Sequence, residues 1–348
     1  YGLADMTGFC PRLVVMREGY LGFSEPYTPD DVWGVLQRYF KWNSLMGCSI
    51  QSNPKEKNKV EADAGQGLHF GHAYSLLGIG EITVDKKESK TGTMKLVKLR
   101  NPWGRGEWEG RFGDRSDERE KYNNEIEKAF NTTARDVEKL TQNLYDGKFI
   151  MPFEDWLKYY TSLFVAINFP KSWCGKRTQG VFTSEQGGNR EMGTWITNPK
   201  FKLRLERDSS LPAVEDEYKQ VFVGIYIKDS RLTLGCDYYK DPLYATPITF
   251  DIVTEKELKD PNPKIREVIP SGYRYENKQG SVKQPPYNFG TTQVEVFLKV
   301  GVDYYIVPSL YKRHQAGTFF LNVYADTPSF FLDGSTVVSE AQKPMVVG

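Results

Sequence analysis

The sequence predicts an α+β domain followed by an all-β sandwich, and three features of the chain carry this prediction. Two apolar, β-rich runs, Tyr74 to Val84 and Met94 to Leu99, flank the turn-like composition of Asp85 to Gly92. An amphipathic helix pattern precedes them. After about Lys171, helical periodicity fades and short β-rich runs recur every ~8–12 residues, which is typical of a sandwich.

Length and composition exclude several classes of protein. The 348 residues are enough for two domains at roughly 100–200 residues each. A net charge of +1 argues against general nucleic-acid binding, which usually shows a strong basic excess. No apolar run reaches the ~18 residues that span a bilayer. The four cysteines show no C-x-x-C spacing, which favours reduced thiols and an intracellular, cytoplasmic protein.

The first predicted helix begins after an irregular stretch or short strand within Tyr1 to Phe23. Thr28 can cap the helix, Pro29 suits its first position, and the following aspartates favour its positive end. One apolar stripe follows at helical spacing and predicts a face packed in the core. Its members are Val32, Val35, Leu36, Tyr39 and Phe40.

The two β-rich runs predict an antiparallel hairpin with His72 at its start and Asn101 at its end. The midpoint of these two positions falls inside the turn, so a hairpin without slippage places them side by side. An amide oxygen can hold an imidazole in one orientation, and the imidazole can then activate a thiol. By itself, His72 would be read as an ordinary core histidine, and the pairing with Asn101 favours a catalytic site instead.

The residues just before His72 allow two further interpretations. Gln51 to Gly67 is polar and predicts a surface loop, for which gating of a cleft is one hypothesis. His69 and His72 form an H-x-x-H pair. Odd spacing on a strand places such side chains on opposite faces, so we interpret His69 as a packing or surface residue rather than a metal ligand.

Four motifs resemble those of calpains, the calcium-regulated, papain-like cysteine proteases. They are GHAYS from Gly71, LRNPWG from Leu99, EW-x-G from Glu107 and DGKFIMPFEDW from Asp146. The resemblance covers residues 1 to about 326. It implies the second lobe of a papain-like protease core followed by the calpain-type β-sandwich. It also implies that His72 and Asn101 are catalytic and that Trp103 shelters their hydrogen bond from water.

The nucleophile implied by this resemblance is not found in the sequence. Calpains carry their cysteine in a preceding lobe, in a G-x-C-W type motif. None of Cys10, Cys48, Cys174 and Cys236 is followed by tryptophan. We therefore expect a fragment of a longer polypeptide, without hydrolytic activity of its own, whose partners are an upstream lobe with the cysteine and protein substrates.

The resemblance also implies a calcium site, which one substitution is expected to weaken. Glu107, Asp114 and Asp146 match calpain positions that bind calcium, an ion that prefers six to eight oxygens. Where calpains place a second acid, this chain has Lys148, whose ammonium would repel the ion and neutralise Asp146 and Glu107. An ordinary surface salt bridge is the alternative interpretation of Lys148.

The first domain is predicted to span residues 1–170. Its last part is predicted to be helical and to end with a strand. Residues 116 to 143 are highly charged and predict one or two exposed helices, the second from Thr133. A short helix is predicted from Pro152 to Tyr160, and a strand from Ser162 to Phe169.

The second domain is predicted to span residues 171–326, with 327–348 a linker or the start of a further segment. Its candidate strands are Lys200–Glu206, Gln220–Lys228, Thr246–Val253, Thr292–Phe297, Tyr304–Ser309 and Thr318–Tyr324. In calpains this domain can bind calcium and phospholipid. The acidic candidate here is Glu206 to Glu217, for which a plain loop between strands is the alternative.

These observations favour a calpain-type cysteine endopeptidase in which this chain supplies His72 and Asn101. The main alternative is a calpain-like scaffold or regulatory protein that kept the fold and lost catalysis, which Lys148 favours. A membrane-docking module would explain the second domain but not GHAYS together with RNPWG.

Overall fold

The computed structural model describes residues 10–16, 28–51, 61–131, 146–188, 192–207, 212, 214, 217–227, 246–259, 291–334 and 336–339. The chain divides into two compact units, Tyr1–Phe169 and Pro170–Gly348. The helix predicted from Thr133, residues 52–60 of the predicted loop, and Cys236 lie outside the described residues. Within the described ranges, no helix has the length and apolar character needed to cross a membrane.

The first unit is built on an antiparallel sheet flanked by helices. Its described strands are β1 (Cys10–Val15), β2 (Leu45–Ser49), β3 (Asp63–Gly65), β4 (Leu68–His69), β5 (Ala73–Thr83), β6 (Thr93–Arg100), β7 (Lys148–Pro152) and β8 (Ser162–Ile167). Its described helices are α1 (Pro29–Lys41), α2 (Asp117–Lys121), α3 (Asn123–Asn131) and α4 (Phe153–Tyr159). Six strands form one sheet in the order β1-β8-β2-β5-β6-β7, while β3 and β4 form a separate ribbon.

Helix α1 begins where the sequence predicts. Thr28 and Asp31 form a reciprocal capping box, and Pro29 occupies the first turn. Phe40, predicted to be in the stripe, is only half-buried. The buried stripe also includes Trp33, whose indole Nε1 donates to Glu81 Oε1 at 2.9 Å. This hydrogen bond links the helix to β5.

The hairpin of β5 and β6 forms as predicted, but its pairing register shifts by one residue along the strands. Ser75 pairs with Arg100 near the open end, whereas Ile79 pairs with Val97 nearer the turn, with a bulge between Leu76 and Gly78. The prediction of pairing without slippage is therefore wrong. Helix α3 packs closely against β5 at Gly80. A Cβ on Gly80 would lie 3.1 Å from the Cβ of Ala129. Glycine allows the helix and strand to approach closely.

The second unit is a pair of antiparallel sheets that share one apolar core. Its described strands are β9 (Cys174–Phe182), β10 (Phe201–Leu205), β11 (Tyr218–Ile227), β12 (Ile248–Thr254), β13 (Thr291–Lys299), β14 (Asp303–Leu310), β15 (Gly317–Ala325), β16 (Phe330–Leu332) and β17 (Thr336–Ser339). A short 3-10 helix (Gly193–Thr197) and α5 (Glu255–Lys259) lie between strands. The sheet orders are β12-β14-β10-β16 and β13-β11-β15-β9-β17.

The core of the second unit lies between these sheets. Leu203 and Ile306 come from the four-stranded sheet, and Val223 and Val323 from the five-stranded sheet, and all are fully buried in one cluster. Alternate residues of each strand thus point inward, as a sandwich requires. Together with the first unit, this confirms the predicted fold class of an α+β domain followed by an all-β sandwich.

Two parts of the second unit differ from the prediction. The sequence analysis missed β9, because two of its inward positions are Thr178 and Gly180 rather than large apolar residues. The ring of Phe319 fills the space over Gly180, where a Cβ would lie 2.1 Å away. The predicted linker from residue 327 is corrected as well, since β16 pairs with β10 and β17 with β9.

Candidate active site

His72 and Asn101 meet at the open end of the hairpin. His72 immediately precedes β5, and Asn101 immediately follows β6. Their side chains form a hydrogen bond of 2.9 Å between His72 Nε2 and Asn101 Oδ1, and the two residues are 5% and 0% exposed. The predicted juxtaposition is therefore confirmed, despite the bulge. Both residues lie just outside the strand ladder, so the register does not fix their side chains.

The amide of Asn101 has only one orientation that satisfies its neighbours. Its Nδ2 donates to the carbonyl oxygen of Gly106 at 3.0 Å, and its Oδ1 accepts from the backbone N–H of Trp103 at 3.1 Å. The oxygen therefore faces His72, and Nε2 of His72 must donate. This leaves Nδ1 as the ring nitrogen available for chemistry.

The backbone of Asn101 is fixed by Gly147, at the turn before β7. Asn101 N–H donates to the carbonyl of Gly147 at 2.8 Å. Gly147 has a φ of 78°, and a Cβ there would lie 2.7 Å from the carbonyl oxygen of Asn101. Only glycine combines this conformation with so close an approach.

Aromatic rings surround the imidazole of His72. The Trp103 ring lies 4.3 Å from it between centroids, and the Tyr74 ring meets it edge-on at 4.9 Å. Trp103 is 43% exposed, so it separates His72 from solvent, as its predicted sheltering position requires. The ring of His69 also packs against Trp103, with 4.7 Å between the ring centroids. Burial raises the pKa of Tyr74 to about 12, so this phenol remains neutral beside the imidazole.

The second ring nitrogen of His72 contacts a residue that the sequence analysis did not identify. Nδ1 lies 3.0 Å from Oε1 of Glu61, a side chain that is 38% exposed. Glu61 lies in the polar loop predicted ahead of His72. The composition of that loop gave no signal that would distinguish Glu61 from its other acidic residues.

The three cysteines that the structure describes are buried. Cys10, Cys48 and Cys174 form no disulfide, and each is at most 5% exposed. Burial raises the pKa of Cys48, and the indole Nε1 of Trp156 donates to its sulfur at 3.4 Å. A buried, neutral thiol such as Cys48 is unreactive.

The predicted calcium ligands lie near one another, and two of them accept hydrogen bonds at the turn before β7. Asp146 accepts from Lys148 twice, through Nζ at 3.1 Å and the backbone N–H at 2.8 Å. Glu107 accepts from the Gly147 N–H at 2.9 Å. Burial and the neighbouring acids raise the pKa of Glu107. In the described ranges, no group of three or more acidic, histidine or cysteine side chains is arranged to hold a metal ion.

Asp114, the third predicted ligand, also faces fixed cations. Burial raises its pKa, and the guanidinium of Arg119 opposes this increase. Burial in turn lowers the pKa of Arg119, while Asp114 opposes that shift. Of the three acids, Asp146 is the one with an ion pair, to Lys148, and this cation opposes a calcium ion at the same place.

The acidic loop predicted in the sandwich is described only at its ends. Glu206 accepts from the hydroxyl of Ser329 at 2.8 Å, and Glu217 forms an ion pair with Lys219 at 3.1 Å. The central acidic residues of the loop lie outside the described residues. At both described ends the acids have local partners, as in an ordinary interstrand loop.

Comparisons with known proteins agree with this architecture. Residues 1–167 match the model of the calpain family cysteine protease, and residues 171–324 match that of calpain large subunit, domain III. The rat calpain-2 catalytic subunit is 27% identical over 93% of this chain, and rat calpain-8 is 28% identical over 93%. Calpain-A of Drosophila melanogaster is 29% identical over 88%.

The chain spans less than half of the length of these relatives, at 43%, 45% and 36% respectively. The two family matches together extend over nearly the whole chain and meet at the boundary between the two compact units. The first unit corresponds to part of the protease and the second to its β-sandwich domain. The chain belongs to the calpain family of cysteine proteases.

Proposed function

We propose that this chain supplies the general base and the orienting amide of a calpain-type endopeptidase that cleaves protein substrates. The single observation that carries the proposal is the buried hydrogen bond of 2.9 Å between His72 and Asn101. The amide orientation is fixed on both sides, so one imidazole nitrogen is held and the other is left for a thiol. That thiol would come from an upstream lobe of the parent protein.

The chemistry of such a site divides between the two ring nitrogens of His72. Nδ1 takes the proton of the thiol as the thiolate attacks the peptide carbonyl carbon. The same Nδ1 returns that proton to the leaving amine, and water later releases the acyl group from sulfur. Asn101 holds the ring through Nε2 in both steps, and Trp103 strengthens this hydrogen bond by excluding water.

A second function, a calpain-like scaffold without catalysis, is favoured by the ion pair of Lys148 with Asp146. This pair indicates that a regulatory ion site has changed. The residue upstream at the nucleophile position of the parent protein distinguishes the two functions. Cysteine there supports the protease, and serine or glycine supports the scaffold.

Mutation of His72 tests the protease in the full-length parent protein. His72→Ala removes the base, and we expect peptide hydrolysis to fall by about 10³-fold, within the range of general acid–base catalysis. Asn101→Ala is expected to lower kcat by about 10²-fold, because the ring loses its fixed orientation. The matched control is His314→Ala, since His314 lies in the second unit, where its Nδ1 donates to the backbone carbonyl oxygen of Ser184 at 2.8 Å. Equal activity of the His72 and His314 variants would refute the proposed role.

Calcium regulation is proposed only in a limited form. Calpains are calcium-regulated, but in this chain Asp146 of the acidic cluster is paired with Lys148 at 3.1 Å. We therefore assign Lys148 the place of a fixed counter-charge, so that this cluster folds without a bound ion. No step of the hydrolysis is assigned to calcium at this position.

We propose two further properties of the parent protein. The described cysteines are buried and form no disulfide, which supports an intracellular, cytoplasmic location, where thiols stay reduced. For the sandwich we propose contact with a phospholipid surface, as the family resemblance implies. Binding to anionic vesicles, measured by co-sedimentation of this chain, tests that proposal.

A further inference from the structure

The contact between Glu61 and His72 uses the ring nitrogen that the proposed chemistry needs. Nε2 of His72 donates to Asn101, and Nδ1 lies 3.0 Å from Oε1 of Glu61. A thiol that engages this imidazole must therefore approach Nδ1, where a carboxylate already lies. This inference rests on the proposed function, because it concerns access to the proposed base.

The two partners of His72 are both hydrogen-bond acceptors. The amide oxygen of Asn101 is fixed in place by Trp103 N–H and by the Gly106 carbonyl. A neutral imidazole donates from only one nitrogen, so it cannot satisfy an amide oxygen and a carboxylate together. One further proton must lie between Nδ1 and Glu61.

Glu61 is held at this position by the ribbon of β3 and β4. The N–H of Phe70 donates to the carbonyl of Ala62 at 2.7 Å, and Asp63 pairs with His69. These contacts place Glu61, the residue before Ala62, beside the segment that runs from His69 to His72. Glu61 itself has a φ of 58°, a left-handed conformation that is uncommon for a glutamate. Its backbone is therefore strained in the arrangement that brings its carboxylate to His72.

The other groups around the imidazole of His72 are aromatic rings. Tyr74 and Trp103 present neutral rings at 4.9 and 4.3 Å between centroids, and the His69 ring lies at 6.2 Å. Among the described residues that contact the His72 side chain, Glu61 is the one with a carboxylate. The charge of the pair is thus set by Glu61 and the proton it shares.

We propose that Glu61 is an autoinhibitory anion, whose carboxylate occupies the thiol-facing nitrogen of His72 and must leave before a cysteine thiolate can take the same place. As the carboxylate leaves, the proton between it and Nδ1 passes to water, so that Nδ1 can accept the proton of the incoming thiol. The exchange thus replaces the Glu61 carboxylate beside His72 with a thiolate. The strained backbone of Glu61 and its partly exposed side chain make the carboxylate the replaceable partner, whereas Asn101 is fully buried.

The contact between Glu61 and His72 can be measured in this chain without any hydrolysis. In protein labelled with 15N-histidine, Glu61→Gln and Glu61→Ala should shift the Nδ1 resonance of His72, because each variant removes the carboxylate that lies 3.0 Å from Nδ1. Asp63→Asn is the matched control, because it removes a carboxylate two residues away that accepts from Gly65 N–H. Unchanged signals of the Trp indoles would show that each variant is folded.

The autoinhibitory role is measured in the full-length parent protein. Glu61→Ala should raise the rate of peptide hydrolysis about fivefold, whereas Asp63→Asn should leave it unchanged. A fall in rate would overturn the proposal, since Glu61 would then be needed for catalysis. An Nδ1 resonance of His72 that is the same in Glu61→Ala as in the unmodified chain would also overturn it. If the parent hydrolyses no peptide in any form, the proposed protease function fails, and the 15N measurement alone decides whether Glu61 pairs with His72.

Discussion

Asn101 shows how much of the candidate site depends on backbone groups. Its amide is oriented by Trp103 N–H and the Gly106 carbonyl, and its own N–H is held by Gly147. The side chains that define the chemistry are recognisable in the sequence. The backbone groups that orient them could not be recognised there, because any residue supplies an N–H or a carbonyl. Their positions follow from the turns that connect the strands.

Lys148 stands where the calpain resemblance implies a second acid of a calcium site. Replacing it as Lys148→Glu removes the cation beside Asp146 and adds a carboxylate, so calcium affinity should rise. Isothermal titration of calcium into both forms measures the change. The control is Lys259→Glu, since Lys259 pairs with Glu255 on an exposed helix of the other unit.

The same titration has an outcome that would contradict the assigned role of Lys148. We expect the unmodified chain to show no site at this cluster with a dissociation constant below about 1 μM, the range of calcium sensors. A site of that affinity, abolished by Asp146→Asn, would mean that the lysine moves aside and does not replace the ion.

Among the secondary-structure elements, helix α1 has the clearest local code. Thr28→Ala removes the side-chain oxygen that accepts from Asp31 N–H at 3.2 Å. The free energy of unfolding of the first unit should fall by about 1 kcal/mol, as for other lost N-caps. Urea denaturation followed by fluorescence measures it. Thr83→Ala, an exposed position in β5, should change stability by no more than about 0.5 kcal/mol, and an equal loss in both variants would contradict the capping role.

Helix α4 stabilises the sheet through Trp156, which is fully buried. Trp156→Ala should cost about 3–5 kcal/mol, because it leaves a large cavity beneath the sheet. Trp156→Phe retains most of the ring and loses the N–H that donates to Cys48, so its cost should be smaller, about 1 kcal/mol. Similar costs for the two variants in urea denaturation would show that packing of the ring is not the main contribution.

For the whole molecule, charge is nearly balanced, and local ion pairs decide how stability depends on pH. Asp303 of β14 accepts from Lys202 Nζ at 2.7 Å and Arg204 Nη1 at 3.1 Å. The hydrogen bond from Lys202 lowers the pKa of Asp303 below its ordinary value of 3.8. A lowered carboxyl pKa stabilises the fold above the ordinary value and loses this effect as the pH falls through the lowered one.

Asp303→Asn should therefore reduce the stability of the sandwich at pH 7, by no more than about 1 kcal/mol because the pair is partly exposed. The difference from the unmodified chain should disappear as the pH falls below 3.8. Urea denaturation at several pH values measures both. Asp326→Asn, an exposed position after β15, serves as the control. A difference that stays constant down to pH 3 would contradict the ion-pair explanation.

The sequence by itself determined the elements whose code is local. Helix α1, the hairpin of β5 and β6 and most sandwich strands follow from apolar periodicity, because each strand or helix buries one regular face. The residue types at positions 72 and 101 and their places at the open end of the hairpin were enough to predict their contact. The shared apolar core of the sandwich follows from the same alternation.

Only the tertiary structure decided the rest. Strand β9 has small inward residues because Phe319 of another strand fills the space over Gly180. The contact of Glu61 with His72 depends on the ribbon of β3 and β4. In both cases folding brings together side chains that no periodic pattern in the sequence links.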